Sequence, residues 1–263
     1  MPKFAVNLSW LFPELPFLRR FDAAKNAGFR AVEFLFPYEH RPEEIKEALV
    51  KNQLIPILFN APPGDFERGE RGLACLPGRE RDFQNSVRKA IEYADALNVR
   101  RIHVMAGIST GIEPAAAHRA ILENLRFALD AVSEFDIQLL LEPINTRDIP
   151  GYYLNTVEQT AEILSELGST NLRLQLDWYH AQVMGGDLTR RTERHFPLIG
   201  HIQIAGVPDR GEPDRGEIHF PHLFRLVDQL GYTGWIGCEY KPTGNTASGL
   251  AWLKPWDSNA GLG

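Results

Sequence analysis

The chain is predicted to be an α/β protein, a single (β/α)8 barrel spanning 1–263, and three observations predict it. Short apolar runs of the β type alternate with longer amphipathic runs, eight times over. The 263 residues match the roughly 250 that one such barrel uses, and no Pro/Ser-rich linker divides them. Acidic side chains stand at the carboxyl ends of several apolar runs, which is where a barrel places its functional groups. A doubly wound open sheet would carry a glycine-rich phosphate turn after its first strand, and NLSWLF offers none.

The elements follow in order. Residues 4–8 form the first strand, and 17–27 a helix closed by Gly28, a residue suited to the left-handed position after a helix. The second strand is 31–36 (AVEFLF), followed by a helix over 42–52 with Pro42 at its start. The third strand, 55–59, leads into a long irregular segment, 60–79, and then a helix over 81–97. RIHVM at 101–105 is the fourth strand, with a helix over 114–135. LLLEPIN at 139–145 is the fifth, with a helix over 156–167 ended by Gly168. LRLQLD at 172–177 is the sixth, with a short helix over 187–195. The seventh lies in IGHIQIA at 199–205, with a helix over 220–230 ended by Gly231; WIGCEY at 235–240 is the eighth. A last helical turn or two covers 247–253, Trp252 and Trp256 pack on the barrel or on a second copy in a homo-oligomer, and 257–263 is expected to be disordered.

Composition excludes several classes. At 44% hydrophobic and 24% charged this is an ordinary soluble composition, with no apolar run near the roughly 20 residues that a membrane helix needs. The amino terminus MPKFAVNLSW lacks the basic-then-apolar layout of a signal peptide, so a cytoplasmic location is expected. Cys75 and Cys238 stand far apart, and in a reducing compartment no structural disulfide is expected between them. A net charge of −6 argues against a broad phosphate-binding surface, hence against a nucleic-acid partner.

The chemistry starts at LLLEPIN. Three leucines read as a buried strand, and Glu142 directly after them needs a partner, a proton or a metal. The pattern recurs at Asp177, Gln203 and Glu239. A single glutamate at a strand end is more often a solvated loop residue or half of an ion pair. Three carboxylates gathered at one barrel mouth are different, because they repel one another and resist ionisation unless a cation holds them. Three carboxylates and an amide form an all-oxygen set, which selects Mg²⁺, or secondarily Mn²⁺, over zinc. His201 shares a strand face with Gln203 and is an alternative ligand. Around this centre, Arg210 follows the seventh strand in a loop suited to gripping a ligand. Arg68 and Arg71, flanked by Gly69 and Gly72, are candidates to pair with a substrate carboxylate from a mobile lid, against the plainer reading of solvated loop residues. Lys241 is a further candidate partner for a carboxylate. His103 is expected in the pocket wall and Glu33 inside the barrel.

Several motifs together resemble the hydroxypyruvate isomerase family of the xylose isomerase-like TIM barrels. They are Glu142-Pro143-Ile144-Asn145, Asp177-Trp178-Tyr179-His180, His201-Ile202-Gln203-Ile204-Ala205, Arg210-Gly211-Glu212-Pro213 and Gly237-Cys238-Glu239-Tyr240-Lys241-Pro242. NLSWLF, VEFLFPY and GERGLACLPGRE extend the similarity over nearly the whole chain, in order. The resemblance implies a metal held by Glu142, Asp177, Gln203 and Glu239, with Glu142 and Glu239 transferring protons. It also implies that His180 and Asp148 contact substrate oxygens, as matching positions do in related keto-sugar epimerases.

The expected reaction is the isomerisation of a small hydroxy-oxo acid, hydroxypyruvate to tartronate semialdehyde. One proton leaves carbon and one returns next door, through an enediolate whose charge a cation would stabilise. A 2-oxo-tetronate isomerase and a keto-sugar 3-epimerase share that mechanism. A metal-dependent phosphodiesterase of the barrel endonuclease type is the remote alternative, disfavoured by the acidic balance and a single compact ligand set. A non-catalytic sugar-acid binding protein would have no use for the two glutamates.

Overall fold

Eight parallel strands close on themselves in chain order, with β8 pairing back onto β1. They are β1 (Lys3–Asn7), β2 (Ala31–Phe34), β3 (Ile55–Asn60), β4 (Arg101–His103), β5 (Gln138–Leu141), β6 (Leu172–Asp177), β7 (Ile199–Ile204) and β8 (Trp235–Cys238). The structure is a computed structural model that describes residues 1–256, so the disorder expected for 257–263 lies outside the described residues. Between the strands run α1 (Phe17–Asn26), α2 (Pro42–Asn52), α3 (Glu80–Leu97), α4 (Pro114–Ala131), α5 (Val157–Leu167), α6 (Trp178–Met184), α7 (Leu188–His195) and α8 (Phe220–Gln229). The (β/α)8 barrel expected from the alternation of runs is the architecture observed.

The helices form where apolar residues recur on one face and caps satisfy their ends. In α3, Phe83, Val87, Ala90, Ile91, Ala94 and Leu97 are buried at three- and four-residue spacing, a stripe that seats the helix on the barrel. The carboxylate of Glu113 accepts the N–H groups of Ala115 and Ala116 to start α4. Thr156 accepts the N–H of Gln159 to start α5, and Gly168 ends it at φ 60°. That helix α4 stops at Ala131 rather than 135 is a matter of one turn.

Which side chains fill the barrel is settled by a contact across it. Glu33 on β2 accepts hydrogen bonds from Gln203 Nε2 (2.7 Å) and pairs with His201 Nε2 (2.7 Å), both on β7. β2 and β7 are separated by β1 and β8, so these three side chains meet in the interior, as expected for Glu33. Two differences from the expected elements bear on the site. Strands β5 and β8 end one residue before Glu142 and Glu239, though the Glu239 N–H still donates to the Ile204 carbonyl (3.1 Å). Helix α6 begins directly after Asp177 and was not anticipated; seven residues are too few for a helical period to show.

The carboxyl-terminal segment Thr246–Trp256 winds as 3-10 turns onto the barrel. Trp252 lies edge-on to Phe4 (5.3 Å) and donates to the Tyr240 hydroxyl (3.2 Å), while Trp256 lies edge-on to Phe224. Cys75 and Cys238 are both buried and unpaired. Among the described residues, no helix is long and apolar enough to cross a membrane.

Candidate active site

The carboxyl ends of β5, β6 and β8 bring Glu142, Asp177 and Glu239 into one buried mouth, each at most 6% exposed. The local sequence fixes their directions. Asp177 is both the last residue of β6 and the cap of α6: its Oδ1 accepts the Tyr179 N–H at 2.8 Å, which leaves Oδ2 facing the mouth. Glu239 Oε1 accepts from the Trp10 indole (3.1 Å) and from Asn7 Nδ2 (3.4 Å), both contributed by β1 and the loop after it. Its Oε2 lies 3.3 Å from Arg210 Nη2.

Glu142 is less well served. Its Oε2 is 3.5 Å from His103 Nδ1, and its Oε1, like Asp177 Oδ2, is buried with no hydrogen-bond partner. His103 itself is held neutral, its pKa lowered to about 3 by burial and by His201. Burial, then the charges of Glu239 and Asp177, push the Glu142 carboxyl well above its usual range. Burial likewise raises Glu239 to about 8 and Asp177 to about 6, with Arg210 opposing the rise in each. Buried acceptors without donors are costly, and carboxylates that resist ionisation beside one another are the electrostatic signature of a cation site. Ligand atoms of Glu142, Asp177 and His180 lie within 4.8 Å of one another.

Of the four ligands expected from the sequence, the structure places Glu142 and Asp177 with free oxygens facing each other. Glu239 is next to them but already accepts three hydrogen bonds. Gln203 is in register with Asp177 but its amide is engaged at both ends: its Nε2 donates to Glu33 and its Oε1 accepts from Gln175 Nε2 at 2.6 Å. His201, the alternative ligand, is occupied with Glu33.

Arg210 is the guanidinium that reaches the carboxylates, while Arg147 stands at the rim, donating to the Tyr179 hydroxyl (3.0 Å) and the Pro208 carbonyl (3.0 Å). Arg210 stands at φ 56° in a loop pinned by Gly206 N–H to Gly211 O (2.8 Å) and by Lys241 N–H to its own carbonyl (2.7 Å). Its plane lies over Trp10 (4.4 Å) and Tyr179 (5.1 Å), and it reaches Asp148 Oδ2 at 3.2 Å as well as Glu239. Its Nε is buried and unpartnered. Asp148 also accepts from the Tyr179 hydroxyl at 3.1 Å.

The other three candidate cations are placed elsewhere. Lys241 contributes its main-chain N–H, while its side chain is exposed. Arg68 pairs with Asp65 on the surface. Arg71 folds back on its own loop, donating to the carbonyls of Phe66 and Glu70 and stacking on the Phe66 ring at 3.8 Å. In this structure neither loop arginine meets the carboxylate cluster, because nearer partners within the segment take them. Trp10, Asn7, Tyr179, Gln175 and Asn145 belong to the site and carried no individual signal; each acts through a partner that only the closed barrel brings near.

The comparisons with known proteins agree with this architecture. A family model described as xylose isomerase-like TIM barrel matches residues 21–256. A 2-oxo-tetronate isomerase of Cupriavidus necator is 52% identical over 257 residues, covering 97% of this chain and 99% of that protein. The hydroxypyruvate isomerase of Escherichia coli is 45% identical, covering 97% and 100%. A crystal structure described as AP endonuclease, family 2, from Brucella melitensis is 47% identical with a TM-score of 0.96, covering 97% and 99%. The chain is thus an isomerase, and it belongs to the hydroxypyruvate isomerase family of xylose isomerase-like TIM barrels.

Proposed function

We propose that this enzyme moves a carbonyl to the neighbouring carbon of a small hydroxy-oxo acid, with a divalent cation at the mouth. The observation that carries the reading is the pairing of two partnerless carboxylate oxygens, on Glu142 and Asp177, with a half-buried arginine whose buried Nε keeps an unused N–H. Glu142 and Asp177 hold the cation, with Glu239 and Gln203 completing an all-oxygen set, which favours Mg²⁺ and then Mn²⁺. Such a cation, when bound, supplies Lewis-acid stabilisation of negative charge on the substrate oxygens. Glu142 and Glu239 take and return the proton, since each stands at the mouth with a carboxyl whose basicity burial raises. Arg210 grips the substrate carboxylate; its aromatic neighbours hold the guanidinium flat and its Nε supplies a free donor. That grip favours an acid over a neutral keto-sugar. The partner is a small molecule and the compartment the cytoplasm.

Hydroxypyruvate is the substrate read from the sequence motifs. The 52% identical relative named 2-oxo-tetronate isomerase supports a second reading, in which the four-carbon acid is preferred. Proton NMR in D₂O with Mg²⁺, offering each acid separately, tests both. Deuterium next to the carbonyl together with carbonyl migration, both abolished by EDTA, is the expected result, and kcat/KM ranks the acids. Exchange at one carbon without migration would make the enzyme an epimerase. No exchange with either acid, alongside incision of abasic DNA, would replace this reading by an endonuclease.

A further inference from the structure

His180 stands in the first turn of α6 with its ring between two carboxylates. Its Nε2 is 3.8 Å from Glu142 Oε1 and 3.6 Å from Asp177 Oδ2. What the ring does there depends on which nitrogen carries the proton, since a neutral imidazole has one donor and one acceptor nitrogen. The surroundings decide it. The main-chain N–H of Asn145 points at His180 Nδ1 at 3.4 Å, and an amide N–H only donates. The Asn145 side chain gives the same answer by a separate route. Its Oδ1 accepts the main-chain N–H of Asp148 at 2.8 Å, which fixes the oxygen end of the amide. The end 2.6 Å from His180 Nδ1 is therefore the NH₂ group. Two donors converge on Nδ1, so the ring proton sits on Nε2.

We propose that Asn145 is a positioning residue that locks His180 as the Nε2–H tautomer, so that the ring presents a hydrogen-bond donor between Glu142 and Asp177 and offers a cation no lone pair. Distance alone groups Glu142, Asp177 and His180 as a ligand triad. The tautomer divides that triad: the carboxylates face positive charge, and the imidazole faces an oxygen that gains negative charge. A neutral donor fixed in a dry site stabilises a developing oxyanion without reorganising during the reaction. This use of the donor rests on the isomerase reading; the tautomer does not.

The test is long-range ¹H–¹⁵N correlation on the full chain labelled with ¹⁵N-histidine, with His180 assigned by the signals lost in His180→Gln. The expected pattern is an unprotonated Nδ1 and a protonated Nε2, unchanged when Mg²⁺ is added to saturation. The reverse pattern, or loss of the Nε2 proton on Mg²⁺ addition, would overturn the proposal by making the ring free or a ligand. In Asn145→Asp a near-isosteric carboxylate faces Nδ1 and demands a proton there, so the tautomer should flip. An unflipped ring in a folded Asn145→Asp protein would remove the role from Asn145, and the wild-type spectrum decides the tautomer even if that variant does not fold. With the tautomer flipped, kcat should fall about 10²-fold or more while KM changes much less, as for loss of an oxyanion donor. Unchanged kcat would overturn the donor role. Absence of turnover by the wild-type enzyme would instead strike the isomerase reading and leave the spectrum standing.

Discussion

Glu142 and Glu239 are the same side chain in opposite surroundings. Glu239 is held from three sides, by Trp10, Asn7 and Arg210, whereas Glu142 has an oxygen with no donor at all. Replacing either by Gln keeps the volume and removes the proton-transfer group, so kcat should drop by about 10²–10⁴-fold in each. The two should differ in KM. Glu239→Gln also releases Arg210 from one of its two close charged partners, leaving Asp148, and shifts KM for the acid, whereas Glu142→Gln leaves both of those pairs intact. Steady-state kinetics on both variants, with circular dichroism to confirm folding, checks this; wild-type kcat in either would remove that residue from proton transfer. These glutamates were legible because an acid directly after an apolar run is costly wherever it goes. Trp10 and Asn7 were not, since their bonds to Glu239 span 229 and 232 positions and carry no local pattern.

At the scale of elements, strands and helices announced themselves by their periods, while the segment 60–79 has none. Its place in the fold depends on one close approach that the letters do not show. Gly72, at φ 113°, bridges to Ala106, and a Cβ there would lie 2.2 Å from the Met105 carbonyl oxygen. Cys75 N–H then donates to Ala106 O (2.7 Å), and Asn124 holds the Ala74 carbonyl (2.9 Å). Half of the segment is thus docked on the end of β4, while Arg68 and Arg71 turn to partners of their own. Gly72→Ala should cost more than about 2 kcal/mol, since it adds a backbone clash to left-handed strain. Gly78, at φ 81° with open space around it, isolates the strain alone, and Gly78→Ala should cost about 1 kcal/mol. Urea midpoints at unchanged slope measure both. Equal costs would mean that Gly72 yields without disturbing Met105.

Closing the whole barrel is what drives these acids together, and the consequence is a pH-dependent stability whose sign can be worked out. Burial raises Glu239 from 4.5 to about 8 and lifts Glu142 well above its usual range. Over the pH interval between unfolded and folded values, the native state keeps protons that the unfolded chain has released. Stability therefore falls as pH rises through that interval. Below the ordinary histidine value of 6.5 an opposite effect intrudes, because His103 and His180 stay neutral in the fold and must be protonated on unfolding. Above the ordinary thiol value of 9.0 the two buried cysteines add a further fall with rising pH. Between about pH 7 and about pH 8 the glutamates stand alone among the large shifts, so EDTA-treated protein should lose melting temperature across that unit. A divalent cation binds the ionised carboxylates, and at about 100 times its Kd it stabilises by about 2.7 kcal/mol. Mg²⁺ should accordingly raise the melting temperature more at the upper pH than at the lower and flatten the decline. Scanning calorimetry at both pH values, with EDTA and with Mg²⁺, measures the four melting temperatures. A Mg²⁺ shift that is absent, or equal at the two pH values, would separate the cation from Glu142 and Glu239 and return the fall in stability to the barrel's geometry alone.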